Sequence, residues 1–404
     1  MLFRSKIELP DLESYADVLL WALVTSRGQK FKSGDLVLVR FDVPAVALAE
    51  AVYTRLIDAH LHPLCLSRPT PAMEAYLLEE GSFGQISCEQ PGETELYQKA
   101  AGVLTILAPT DPGHLAHVDP RVVDQARQSH LHARQALERR RRAGLLGWTT
   151  CLYPTQALAE AAGLDLEEYT RLLCRACFLN MAEPVREWQR LCAEVEEVGR
   201  WLDGLKATSF HLESASCDLT LEPGPHRRFV GVSGANIPGG ELYLAPDCRT
   251  ARGVFYADQP SLHLGRLVLG ARLEFQNGVA VRAEAARGGQ FLQQRLYADS
   301  GARGIGEFSL TDSRFSRVTQ FMAHTLLDEN LGGEQGNCHI ALGSSPLESY
   351  SGPLEALTPE MEAEFGFNAS AQHWDLVSTE PRSVSAALPG GETRRIYENG
   401  RFLL

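Results

Sequence analysis

Short apolar runs separated by polar or glycine-containing breaks dominate the first third of the chain. Leu36-Val37-Leu38-Val39-Arg40-Phe41, entered from the turn residues Gly34-Asp35, is an apolar, β-branched run of the buried-strand type. Between residues 44 and 60, Val46, Leu48, Ala49, Val52, Leu56 and Ile57 recur at helical spacing. Leu64-Cys65-Leu66 reads as a second strand, and Gly102–Leu107, bounded by Pro109, as a third. Strand, helix and strand in that order build βαβ units, which predicts a mostly parallel sheet. No G-x-G-x-x-G follows the first strand, so dinucleotide binding has no support.

Residues 119–206 read as mostly helical. Pro154-Thr155 opens a helix rich in Ala and Leu that Gly163 stops, and Asp165 has the character of an N-cap, with Glu167 and Glu168 in the favoured first turn. Pro184 stands near the start of another helix, whose Trp188, Leu191, Val195, Val198 and Leu202 are spaced to bury one face. After about residue 207 short alternating segments take over. Leu267–Phe275 and Val279–Ala285 flank Asn277-Gly278, a hairpin signal that turns Leu273 and Phe275 inward and Arg272 and Glu274 outward. Asn399-Gly400 repeats the signal. The fold class expected is an α/β N-terminal domain over residues 1–206, followed by a β-rich α+β domain over residues 207–404.

Composition narrows the function classes. The 404 residues carry a net charge of −13, which argues against neutralising nucleic-acid phosphates. With 44% hydrophobic and 22% charged residues the balance is that of a folded globular protein. No apolar run reaches the roughly 20 residues that span a bilayer, and Met1–Glu8 lacks the apolar stretch of a signal peptide. Nine cysteines without framework spacing fit reduced thiols, so a cytoplasmic location is expected. Arg139–Arg142 reads as a solvated helix face, and Cys174-x-x-Cys177 as a buried one. His114, His117, His130 and His132 lack an accompanying carboxylate pattern, and Gly301, Gly304 and Gly306 lack phosphate-loop spacing.

Five residues of the second half carry candidate chemistry. His373-Trp374-Asp375 lies in a strand-like stretch, where period two puts an imidazole and a carboxylate on one face, about 7 Å apart. His339 opens the apolar run Ile340-Ala341-Leu342-Gly343, Glu307 stands at the mouth of another strand, and Glu241 follows the low-bulk turn Asn236-Ile237-Pro238-Gly239-Gly240. Taken singly, each also suits a rim or solvated position.

With these residues the sequence resembles the two-metal aminopeptidases of the aminopeptidase T / aminopeptidase S family, the thermophilic leucyl aminopeptidase type. The resemblance is an ordered chain of motifs over about residues 15–404. It includes Pro154–Ala159, Gly163–Tyr169, Pro184 with Trp188, Asp218-Leu219-Thr220, Asn236–Glu241, Ala245-Pro246 and Gly306-Glu307. Leu327-Asp328-Glu329-Asn330, Cys338–Gly343 and Asn368-x-Ser370-x-x-His373-x-Asp375 complete it. It implies that Glu241, Glu307, His339, His373 and Asp375 hold two divalent ions per chain, of Zn, Co or Mn. It also implies a homodimer enclosing the active sites, and short peptides with a free N-terminus as substrates. Either Glu307 or Asp375 is the carboxylate that bridges the ions.

The sequence also departs from the family. Members usually carry a tyrosine seven residues after the first ligand histidine, where this chain has Pro346, which donates no hydrogen bond. The nearest tyrosine is Tyr350, so Glu307 and Tyr350 are the candidate catalytic residues. The stretch between Asn330 and His339 is longer than usual, and Leu376-Val377-Ser378-Thr379 replaces the usual residues after Asp375. Two alternatives to a metal-dependent aminopeptidase follow: a repurposed relative that binds a peptide or metabolite without turning it over, and a mononuclear iron dioxygenase. The latter would use His339, His373 and Asp375 as a facial triad.

Overall fold

The computed structural model describes residues 9–404. The chain forms two compact units, one holding the residues up to Arg190 together with Ser233–Gly239, the other holding Leu191–Val232 and Gly240–Leu404. The helix Pro184–Leu205 contributes to both. Beyond Arg190 its residues pack within the second unit, where a Cβ on Gly231 would meet Val195 and one on Gly199 would meet Leu242. The change of texture near residue 206 therefore marks the end of this helix rather than the edge of a unit.

The first unit is built on a five-stranded sheet in the order His62–Ser67, Leu36–Phe41, Gly102–Leu107, Gly147–Leu152, Asn236–Ile237, with every neighbouring pair parallel. The apolar run that opens it is buried as expected, with Val37, Leu38 and Val39 fully enclosed. The helix Val46–Asp58 follows it. The strand Gly147–Leu152 lies inside the stretch expected to be mostly helical. Its sequence, Gly-Trp-Thr-Thr-Cys-Leu, has no apolar run of its own, and pairing along Gly102–Leu107 holds it in the sheet. Thr155 and Asp165 cap their helices by accepting the N–H groups of Leu158 and Glu168. Among the described residues, no helix is long and apolar enough to cross a membrane.

The second unit contains an eight-stranded and a four-stranded sheet, both with antiparallel neighbours throughout. The Asn277-Gly278 hairpin forms with φ positive at both turn residues, 49° and 79°, and buries Leu273 and Phe275. The four-stranded sheet runs in the order His373–Ser378, Asn337–Gly343, Ile305–Thr311, Glu241–Leu244. On one of its faces Phe308 stacks on Phe210 of the eight-stranded sheet, with ring centroids 6.3 Å apart. Since strand side chains alternate, the other face takes Glu307, Ser309, His339, Ala341, His373 and Asp375.

Gly306 sets where that face begins. The pairing between Ile305–Thr311 and Asn337–Gly343 shifts register between Ile305 and Glu307, as a bulged strand does. A Cβ at Gly306 would lie 2.3 Å from the Gly343 carbonyl oxygen and 2.4 Å from that of Ser344. Both obstacles are backbone, so neither yields by a rotamer change. Gly306→Ala is expected to cost about 1–3 kcal/mol of stability, the usual range for overpacking, measured as a lowered urea midpoint at unchanged slope.

Candidate metal centre

All four strands of the smaller sheet bring a polar group to the same face. Registry places Glu307, Ala341 and Asp375 in one row across three strands, with Ser309, His339 and Val377 in the next. Glu241 opens the outer strand opposite Thr311, and its carboxylate reaches back over Ser309, whose hydroxyl donates to Oε2 at 2.7 Å. Ala341 is fully buried and has only a methyl group, so the space above it, between Glu307 and Asp375, is not filled by a side chain of that row.

The five expected ligands converge. His339 Nε2 lies 3.1 Å from Glu241 Oε2 and 3.1 Å from Glu307 Oε1. His373 Nε2 lies 3.3 Å from Asp375 Oδ1 and 3.9 Å from Glu307 Oε2. Two groups able to hold a metal result, Glu241–Glu307–His339 and Glu307–His373–Asp375, with Glu307 common to both. His339, Glu307 and Asp375 are buried, while the imidazole of His373 keeps part of its surface at solvent.

Hydrogen bonds behind the ligands orient them. The Ser344 carbonyl can only accept, so at 2.9 Å it fixes the proton of His373 on Nδ1. The side-chain oxygen of Asn337 lies 3.3 Å from His339 Nδ1 and does the same there, while the Asn337 amide nitrogen donates to the carbonyls of Glu329 and Leu331. Both imidazoles are thereby left with Nε2 facing the carboxylates, the arrangement a metal ligand requires. Thr325 donates to Asp375 Oδ2 at 3.0 Å.

Burial and charge set the protonation. Burial lowers the affinity of His339 for a proton, but its hydrogen bonds to Glu241 and Glu307 outweigh this and lift it well above the ordinary imidazole range. Burial opposes the charged form of His373 as well, and attraction to Asp375 and Glu307 lifts it to about 10. Burial pushes Glu307 up despite its contact with His339. Asp375, pushed up by burial, is pulled below the usual carboxylate range by His373.

Glu329 is a further acid at this place, one that reading the sequence for site residues missed. It is buried, and burial followed by repulsion from Glu241 and Asp375 raises it well above the ordinary carboxyl value. Its neighbour Asp328 points elsewhere, accepting the N–H groups of Met322 and His324, and burial lifts it to about 8. The available signal was the Leu327-Asp328-Glu329-Asn330 segment itself, two adjacent acids next to apolar residues and the amide of Asn330. Asn330 accepts the N–H of Gly240 at 2.7 Å, tying this segment to the start of the Glu241 strand.

Tyr350 is not brought to the cluster. It packs with Ala245, Leu357 and Phe367 in a separate apolar group and stacks on Phe365. Pro346 precedes the short turn Leu347–Ser349 and has no N–H to offer.

The donor set fits a pair of hard or borderline divalent ions: carboxylates and imidazoles in two groups sharing one acid. Comparison with known proteins supports a metal-dependent peptidase. Residues 9–402 match the family described as thermophilic metalloprotease (M29). Aminopeptidase T of Thermus aquaticus is 26% identical over 331 residues, 78% of this chain and 79% of that protein. Aminopeptidase AmpS of Bacillus subtilis is 25% identical over 336 residues, 78% of this chain and 79% of that one. The solved structure of wild-type AmpT from Thermus thermophilus superposes with a TM-score of 0.78 at 21% identity, covering 96% of this chain and all of that one, which establishes the shared fold. The chain belongs to the M29 family of thermophilic metalloproteases, and is a metal-dependent peptide hydrolase.

Proposed function

We propose that this protein is an aminopeptidase that uses two divalent ions to remove N-terminal residues from short peptides. The observation carrying the reading is Glu307, whose Oε1 faces His339 and whose Oε2 faces His373. A carboxylate with one oxygen toward each imidazole is disposed to bridge two ions, and this favours Glu307 over Asp375 as the bridge. In this reading Glu241 and His339 complete one subsite, and His373 and Asp375 the other. Glu329 adds a fourth carboxylate. Four negative charges then offset two dications with both imidazoles neutral, a balance that suits a buried site.

Zn, Co or Mn ions in such a pair polarise a peptide carbonyl and lower the pKa of a bound water towards neutrality. The protein's own groups hold the geometry. Asn337 and the Ser344 carbonyl keep each imidazole in one tautomer, and Ser309 and Thr325 orient Glu241 and Asp375. The peptide's free amine has the carboxylates of the cluster as its natural counter-charge, and the partly exposed edge at His373 is the side from which it arrives. A cytoplasmic homodimer is the setting we infer for this chemistry. A lone iron in a His339–His373–Asp375 triad is disfavoured, because His339 groups with Glu241 and Glu307 rather than with His373 and Asp375. Pro346 favours a second reading, a slow peptidase that holds peptides longer than it turns them over, since losing one intermediate-stabilising donor typically costs on the order of 10²–10³ in turnover.

One assay separates the two readings. Protein loaded with Co, Zn or Mn is expected to release amino acid from leucyl chromogenic substrates. His339→Ala is expected to lower kcat/KM by more than about 100-fold, beyond the usual effect of an outer-shell change. Turnover on a broad panel of N-terminal residues that stays about 10²–10³-fold below the usual range marks the slow peptidase, and no cleavage at all overturns the aminopeptidase reading.

Metal uptake should also be linked to protons. Without metal, His339 and His373 lie above the usual imidazole range, the latter at about 10, so both are protonated at neutral pH. Coordination needs them neutral, so binding releases protons and affinity falls as pH falls. Zinc titrations between roughly pH 6 and 8 should show affinity rising with pH throughout. Calorimetry in buffers of different ionisation enthalpy should show net proton release.

A further inference from the structure

Thr325 is the first residue of the short helix Thr325–Asp328, whose N-cap is His324. The His324 ring nitrogen does the capping, accepting the N–H of Leu326 at 3.2 Å. The Thr325 hydroxyl is left to reach 50 positions along the chain to Asp375 Oδ2, at 3.0 Å. Thr325 itself is exposed, so apolar packing does not account for its orientation. Asp375 is thus divided: Oδ2 receives the hydroxyl, and Oδ1 faces His373 Nε2 at 3.3 Å. Glu307 shows the opposite arrangement, with an oxygen toward each histidine.

We infer that Thr325 is a positioning residue that commits Asp375 to one subsite through a single oxygen, leaving Glu307 as the shared carboxylate. The inference rests on the two-metal reading above. It follows from carboxylate geometry: an oxygen already accepting a hydroxyl in a fixed direction is hindered from turning to a second cation, and the other oxygen is held toward the first. Removing the hydroxyl frees Asp375 to rotate. The effect should fall on the His373–Asp375 subsite, to which the Thr325 hydroxyl donates, and spare the Glu241–His339 subsite.

The test uses zinc, which is diamagnetic, and the full-length protein. Ring proton signals of His339 and His373, assigned with His→Gln variants, report the filling of each subsite separately. Thr325→Val, similar in shape but without the hydroxyl, is expected to raise the zinc concentration that half-shifts the His373 signal by about 10–100-fold, the usual cost of losing an outer-shell partner. The His339 signal should respond as in wild type, and Thr325→Ser should restore the His373 response. An unchanged His373 response in Thr325→Val overturns the inference, as does an equal shift at both histidines, which would mean a general disturbance of the site. A wild-type protein in which zinc moves only one histidine signal, or neither, overturns the two-metal reading and this inference with it, and is recognised before any Thr325 variant is made.

Discussion

Crowding of like charge on one buried sheet face is the constraint from which the rest of the site follows. Glu241, Glu307, Asp375 and Glu329 are gathered around two imidazoles where water cannot disperse their fields. In such surroundings each acid must find a cation, accept strong hydrogen bonds or take up a proton. Without metal the molecule uses all three responses. The histidines are drawn into the charged form, Asp375 stays ionised beside His373, and Glu307 and Glu329 are pushed toward protonation. The same crowding makes the face a strong attractor for multivalent cations.

The scaffold suits this burden. Ligands on loops drift by more than coordination tolerates, whereas strands paired on both sides hold Cα positions firmly. Glu307 and His339 lie within the two inner strands, and Asp375 lies within an edge strand that pairs along the His339 strand, with Glu241 and His373 at strand starts. The reverse face rests on the larger sheet through Phe308 and Phe210. The polar partners behind the ligands come from the same framework, including Ser309 and Asn337 from the strands themselves.

Much of this was legible before any coordinates. Leu36–Phe41 and the Asn277-Gly278 hairpin are local signals, since their hydrophobic pattern or turn chemistry needs no distant partner. The five candidate ligands were legible only as an ordered set of motifs, because separations of 32 and 34 positions between Glu307, His339 and His373 carry no geometry of their own. The strand Gly147–Leu152 was not legible, as its threonines become a strand through pairing with Gly102–Leu107. Glu329 escaped for a different reason. Acids on a short helical turn normally face water, and this segment is held inward by Asn337, which donates to the Glu329 carbonyl, and by Asn330, whose partner Gly240 lies 90 positions away along the chain. Tyr350 is the tyrosine nearest Pro346 along the chain, but the turn between them carries its ring into the apolar group around Phe365 and Phe367.

Ala341 occupies the middle of the row between Glu307 and Asp375. Adjacent strands are about 4.8 Å apart, so the two acids start nearly 10 Å from each other with a single methyl as the floor between them. Any bulkier apolar residue at that point would fill the basin while still satisfying the sheet, keeping the architecture and abolishing the cation seat. Loss of chemistry in this lineage therefore need not pass through loss of a ligand. A descendant with all five candidate ligands intact can still be inert, and the width of this one side chain is where to look.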